Sequence, residues 1–473
     1  MKKFRFSLIT LLIVTIMLSN NLFSQVRLPA IFGNNMVLQQ QTGVDFFGSA
    51  TKNSTVKVTT SWNKKSYSAK AGNDGRWRIS VSTPAAGGPY EVTVSESNTI
   101  VFKNILIGEV WICSGQSNME MPVKGYSSQP VKGSNETIAT SSNPQIRLFT
   151  VTRGTSLQPL DDFTGSWKLC EPENVSQFSA TAYYFGLMLN KALKVPIGLV
   201  NTSWGGTRIE PWMSEAGLKN FDFVTLPDKN QTGTLSPQIP TVLFNAMINP
   251  MVGYGIRGAI WYQGEANRNE PDKYQKLLPG MVENWRNLWG IGKFPFYYVQ
   301  IAPYNYGPAG LNSAYVREAM LKASTAIENI GMACIMDIGE EFCIHPSDKK
   351  AGGDRLAYQA LVKTYGKKGF AAEGPVLKEM KIEGQTVKLT FDNAVNGLTS
   401  YGKDLECFEV AGANKMFYPA KAFLSSGGVI VISQFVTTPV AVRYAFKDFI
   451  IGDLFNTEGL PASSFRTDDW PVE

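Results

Sequence analysis

The chain has 473 residues and a single histidine, His345. Imidazole-based zinc or iron centres need two or three such rings, so they are excluded, and any imidazole chemistry runs through His345. The five cysteines (Cys113, Cys170, Cys334, Cys343 and Cys407) contain no CxxC pair or comparable ligand spacing, which argues against a thiolate metal site. Cys113 and Cys334 stand in apolar, strand-like runs that suit a small buried hydrophobe, and no disulfide is expected. Charge is also scarce, at 18% of residues, and the net +6 is scattered rather than clustered. Scattered charge excludes the basic patch that nucleic acid or a membrane surface would require. After residue 24 no long apolar run remains, so no membrane span is expected in the mature chain.

What is present points to a large, exported, β-rich protein. Residues 1–24 read as a secretory signal. Lys2, Lys3 and Arg5 form a basic start, Phe6 to Leu18 are mostly apolar and too short for a span, and Ser24 is a small residue suited to cleavage. An uncleaved anchor is the alternative. Loss of the signal removes three cations and leaves a net charge of +3 in a periplasmic or extracellular protein. A hydrophobic content of 44% excludes a disordered chain, and 43 glycines with 25 prolines suit many loops and turns. The length suggests about three domains.

Periodicity supplies the boundaries. Residues 25–104 alternate with period two around Val56–Thr60, Trp77–Val81 and Tyr90–Val94, as in a small sandwich. Asn73-Asp74-Gly75 reads as a hairpin turn and Gly87-Gly88-Pro89 as a break. From 105 to 370, apolar strands alternate with amphipathic helices. The strands are Ile105–Cys113, Ile197–Asn201, Gly258–Tyr262, Phe296–Ile301 and Gly331–Asp337. Helices are expected over Phe178–Leu193, around Tyr274, Leu277, Leu278, Met281, Trp285 and Leu288, and over Leu356–Tyr365. This alternation predicts an α/β domain with a parallel sheet covered on both faces, whose ligands bind beyond the carboxyl ends of the strands. Residues 371–473 return to turn-separated strands, at Val387–Phe391, Val429–Ile432 and Val440–Tyr444, and form a second β-domain.

Four segments follow strands of the α/β region. Trp111 to Met119 (WICSGQSNM) carries Ser117 on a tight turn and matches half of a GxSxG elbow. Asn201 to Trp212 (NTSWGGTRIEPW) carries Gly205 and Gly206, whose backbone N–H groups can approach an oxyanion closely. Trp261 to Arg268 (WYQGEANR) carries Gln263, whose amide can donate to the same oxyanion, and Glu265, which suits a loop anchor. Met336 to Lys350 (MDIGEEFCIHPSDKK) carries His345, with Ser347 placed to cap a helix. A serine hydroxyl needs a general base, imidazole suits that role near neutral pH, and a carboxylate behind the imidazole fixes its tautomer. Asp337, Glu340 and Glu341 are the available acids, and spacing does not choose among them.

In this order the GQSNM, SWGGT, WYQGE and IHP segments resemble the SGNH-type hydrolases and, within them, the sialate O-acetylesterase family. NNMVLQ at Asn34–Gln39 and NTEGLPASSFRTDDW at Asn456–Trp470 extend the resemblance over nearly the whole mature chain. It implies a flavodoxin-like three-layer hydrolase domain with flanking all-β modules, and metal- and cofactor-independent removal of O-acetyl groups from sugars or glycans. Carried over by position, Ser117 is the nucleophile and His345 the base. The N–H of Ser117, the backbone of Gly205 or Gly206, and Gln263 form the oxyanion hole. Many SGNH hydrolases place Asp three residues before the histidine, where this chain has Phe342. The resemblance places an acid three residues after the strand-end Asp337, which favours Glu340 as the third member. A dyad oriented by a backbone carbonyl is the alternative. Arg208 and Arg268 are candidates to pair with a sialic acid carboxylate.

Two rival readings are kept. An acetylxylan or other polysaccharide acetylesterase would use the same residues behind different pocket walls. A non-catalytic glycan-binding protein would draw on the β-modules and the 10 tryptophans.

Overall fold

The computed structural model describes residues 25–307 and 312–471, so the signal-like segment 1–24 lies outside the described residues. Among the described residues no helix is long and apolar enough to cross a membrane. The chain is mixed α/β, with a parallel central sheet and further β-sheets at both ends.

The central sheet runs in the spatial order Ile330–Ala333, Phe296–Val299, Gly258–Tyr262, Thr99–Gly115, Ile197–Ser203 and Asn143–Thr150. These six are parallel, and Trp167–Cys170 closes the edge antiparallel. Apart from Asn143–Thr150 at the edge, the parallel strands lie in the order 2-1-3-4-5 by their sequence in the chain, which is flavodoxin-like order. Near-continuous apolar strands are buried on both faces, and residue parity separates the faces. Val110, Ile112, Ala259 and Trp261 join one core with helix Pro271–Trp289 and helix Asn312–Ala323. Trp111, Cys113, Ile260 and Tyr262 join another with helix Ala180–Leu193 and helix Lys349–Gln359.

Local chemistry sets the helix ends. Pro271 opens Pro271–Trp289 at its first turn, where the missing N–H costs nothing, and Gly290 closes it at φ 65°. Tyr274, Leu277, Leu278, Met281 and Trp285 are fully buried, each stabilising by about 1.5–3 kcal/mol. Leu288, expected on the same face, is 37% exposed, and Trp289 takes the buried position. The helix after His345 is capped by Asp348, which accepts from Ala351 N–H at 3.0 Å, and not by Ser347.

At the N-terminal end, Gly43–Ser49 pairs with Arg76–Ser82 in one sheet, and Thr55–Thr60 pairs with Ser66–Lys70 and Gly87–Ser95 in another. Asn73-Asp74-Gly75 thus crosses between sheets and makes no hairpin, because its flanking strands do not pair with each other. Gly87–Pro89 lies inside a strand as a register irregularity, not as a break. Residue 104 falls within the continuous strand Thr99–Gly115. Its first half pairs with Gly87–Ser95 and its second with the central sheet. At the other end, antiparallel strands from Val376 onward share a core with Met336, and Arg317 of helix Asn312–Ala323 is buried against Ser464 and Asp448.

Candidate active site

Ser117 stands where the strand Thr99–Gly115 turns into the short helix Ser117–Glu120. Gly115 makes the turn possible. Its φ is 142°, and a Cβ there would lie 2.1 Å from the carbonyl oxygen of Tyr262. Ser117 is half-buried, and its hydroxyl makes no hydrogen bond among the described residues. Its N–H opens the helix and has no intrahelical acceptor.

His345 lies on the loop between strand Ile330–Ala333 and helix Lys349–Gln359. Its Nδ1 is 2.5 Å from Gln129 Oε1. An amide oxygen only accepts, so Nδ1 carries the proton and Nε2 is left with a lone pair. The Tyr126–Gln129 turn is locked by two reciprocal backbone hydrogen bonds, at 3.0 and 3.1 Å, and Lys132 N–H donates to Ser347 O at 2.9 Å. The loop carrying Gln129 is thereby docked onto the loop carrying His345. The imidazole packs edge-on against Tyr126, ring centroids 5.4 Å apart, and the Tyr126 hydroxyl is 3.5 Å from Ser117 O. Burial, and then the positive charge of Lys349, pushes the imidazole down to about 4, so it is neutral at ordinary pH.

None of the three candidate acids hydrogen-bonds His345. Glu340 accepts from Ser347 N–H at 2.7 Å and shapes the loop. Asp337 forms a two-pronged ion pair with Arg355, at 2.6 and 2.7 Å. Glu341 accepts from Asn305 Nδ2 at 3.4 Å. Phe342 is 83% exposed.

Gly205 lies against the nucleophile: a Cβ built on it would come 3.2 Å from Ser117 Cβ. Its N–H donates to Glu120 Oε2 at 2.8 Å, and Glu120 is also paired with Arg153. Gly206, at φ 76°, has an N–H without an acceptor among the described residues, while its carbonyl accepts from Gln238. Gln263 is completely buried and spends both amide hydrogens, on Thr207 O at 3.1 Å and Asn267 Oδ1 at 2.8 Å. In this arrangement it braces the Gly205–Gly206 loop and offers no hydrogen to a ligand. Arg208 is paired with Glu210 and Glu270. Arg268 has no carboxylate partner among the described residues; its guanidinium lies over Tyr306, 4.6 Å from the ring centroid.

Sequence reasoning missed Gln129, Asn118 and Lys349. Asn118, next to the nucleophile, donates to Glu265 Oε1 at 2.6 Å and to the carbonyl of Ile344 at 3.1 Å, and accepts from Lys349. One hydrogen bond therefore links the neighbour of Ser117 to the neighbour of His345. A polar residue beside the candidate serine was the available signal for Asn118.

Residues 107–357, just over half the chain, match the family described as carbohydrate esterase, sialic acid-specific acetylesterase. The chain is 29% identical to the sialate O-acetylesterase of Mus musculus, over 89% of each chain. It is 30% identical to that of Homo sapiens, over 89% of this chain and 87% of the relative. In three dimensions it is similar to the crystal structure of a carbohydrate acetylesterase from Xanthomonas citri. That match has a TM-score of 0.86 and 34% identity, and covers 94% of this chain and 100% of the other.

Proposed function

The chain belongs to the sialic acid-specific acetylesterase family of carbohydrate esterases and is a carboxylic ester hydrolase, and from that premise we propose that Ser117 and His345 remove O-acetyl groups from carbohydrate. One observation carries the reading. Tyr126 bridges the two groups: its hydroxyl is 3.5 Å from Ser117 O and its ring packs on the imidazole of His345, where the serine hydroxyl has no partner among the described residues, Nδ1–H is already engaged and Nε2 is left to accept a proton.

In this reading Ser117 Oγ attacks the acetyl carbonyl carbon while His345 Nε2 takes the hydroxyl proton. The carbonyl electron pair moves onto oxygen, and the oxyanion rests on the N–H groups of Ser117 and Gly206. Gly205 N–H adds to them when it leaves Glu120. Collapse of the tetrahedral intermediate breaks the bond to the sugar oxygen, which receives the proton from the imidazolium. Water, deprotonated by His345, then attacks the acetyl-serine, the C–Oγ bond breaks as the imidazolium returns its proton to Ser117 Oγ, and acetate leaves. Gln129 takes the orienting role that the resemblance suggested for Glu340, and Gln263 stands behind the oxyanion hole rather than in it. A neutral amide fixes the tautomer but stabilises imidazolium less than a carboxylate does.

We read the sugar as O-acetylated sialic acid, in line with the relatives named for sialate, with Arg268 as the cation for its carboxylate. Arg208, neutralised by two acids, is not available for that role. Acetylated polysaccharide such as xylan is the second reading, because the Xanthomonas citri relative is described by the wider term carbohydrate acetylesterase. The same reading makes the region expected at 105–370 a three-layer SGNH-type domain between β-modules at 25–104 and 371–473, with that domain and the first module sharing the strand Thr99–Gly115. Export after loss of residues 1–24 completes it.

The test is acetate release from O-acetylated sialic acid, acetyl-xylan and p-nitrophenyl acetate. Ser117→Ala should fold normally and release none from any of them. Turnover retained by that variant sinks the mechanism, and the ratio between the two glycans decides the substrate.

A further inference from the structure

Lys349 is 3% exposed and occupies the first position of helix Lys349–Gln359. A cation is doubly penalised there: burial strips its water, and the positive end of the helix dipole repels it. Its Nζ donates to Asn118 Oδ1 and lies 5.8 Å from the centre of the Tyr262 ring. Glu265, also 3% exposed, accepts from Asn118 Nδ2 through Oε1, and its Oε2 has no partner. The Asn118 amide is therefore held between the buried amino group of Lys349 and the buried carboxyl group of Glu265, whose proton affinity is raised by burial. Only one amide orientation satisfies both, and that orientation turns Nδ2 to the carbonyl of Ile344 as well.

We infer that Lys349 is a positioning residue of the serine esterase reaction proposed above, on which this inference rests. It fixes Asn118, and through Asn118 the backbone that carries His345. Its positive charge lies on the side of the neutral imidazole and lowers the affinity of the ring for its proton, so what the reaction gains from Lys349 is position and not basicity.

The neighbours of both groups support the direction. Glu265, Cys343 and Glu340 face Lys349, and burial dominates them, bringing its ammonium down to about 7. His345 is faced by Tyr126, by the neutral Gln129 and by Lys349. Lys349 is thus charged through the whole acidic range in which His345 titrates, and removing that charge raises the affinity of the imidazole for its proton.

Because His345 is the only histidine, selective ¹³C-histidine labelling gives one imidazole signal, which NMR can follow against pH without relying on activity. The comparison is wild type, Lys349→Met and Lys349→Gln, the last keeping a donor for Asn118 without the charge. The titration midpoint should rise by about one pH unit in both variants. On p-nitrophenyl acetate, kcat should fall about ten- to a hundred-fold in Lys349→Met with KM nearly unchanged, and Lys349→Gln should recover part of it. An unchanged midpoint in either folded variant overturns the inference. If neither variant folds, wild type decides: the single imidazole signal should show a second, smaller inflection near pH 7 as Lys349 loses its charge, and a curve with one inflection only overturns the inference. Failure of the underlying reading looks different: Ser117→Ala would keep its turnover whatever the NMR shows.

Discussion

The two sides of the mouth of the central sheet carry similar residue types and use them in opposite ways. Around Gln263, the amides and charges bond to one another until the donors are used up. Gln263 holds Thr207 and Asn267, Asn267 reaches Glu210, and Arg208 joins Glu210 to Glu270. Around Ser117 the bonds stop short. The serine hydroxyl, its N–H, the N–H of Gly206 and Nε2 of His345 are left without partners among the described residues. A network whose amide hydrogens are spent resists deformation and has no such hydrogen to offer a ligand, though the buried Oε1 of Gln263 keeps no partner among the described residues. An unsaturated one costs stability and keeps its atoms for chemistry.

The sharpest way to break this contrast is on the unsaturated side. His345→Ala should lower kcat/KM for p-nitrophenyl acetate by about 10⁴-fold, since no second imidazole can stand in. Wild-type kcat/KM should persist down the acidic range and fall only as the pH drops through about 4, because the neutral imidazole is the active form and burial has lowered its proton affinity. A limb near pH 6.5 would show the ring to be solvated.

Gln129→Leu should cost about 10²-fold in kcat with KM unchanged, since the tautomer is then set by nothing. Gln129→Glu should move the acidic limb to higher pH, because a carboxylate stabilises imidazolium. On the saturated side, Gln263→Leu should cost about 2 kcal/mol of stability in denaturant unfolding and less than about ten-fold in kcat. A loss of about 10²–10³-fold would return Gln263 to the oxyanion hole. The smallest effect is at Arg268. Arg268→Ala should raise KM for O-acetylated sialic acid about five-fold, the scale of about 1 kcal/mol, and leave p-nitrophenyl acetate untouched.

Much of the scaffold was legible because burial on both faces writes long apolar runs. Gly258–Tyr262 was bounded correctly from sequence, and Ile197–Ser203 was missed by two residues at its end. Ser117 and His345 could be nominated because both follow such runs. The group behind His345 could not. Gln129 lies 216 residues away in sequence, on an irregular loop whose backbone bonds leave no periodic trace. The search for a carboxylate near His345 in sequence found Glu340, Glu341 and Asp337, which instead bind Ser347, Asn305 and Arg355. Lys349, in the run Asp348-Lys349-Lys350, has the look of a solvated surface charge, and only the packing of its helix against Asn118 buries it.

The strand Thr99–Gly115 gives the molecule an indivisible spine. Seventeen residues of one continuous strand begin among the N-terminal strands and end two residues short of Ser117. A truncation that removed the N-terminal β-region at residue 104 would cut this spine midway. It would lay bare the edges of Ile105, Leu106 and Ile107, which now pair with Gly87–Ser95 and with Val37–Gln39. Such an edge recruits other chains. A minimal hydrolase cut at that point should therefore aggregate before it can be assayed, and any trimming of this enzyme has to leave the β-strands from Val37 to Ser95 in place.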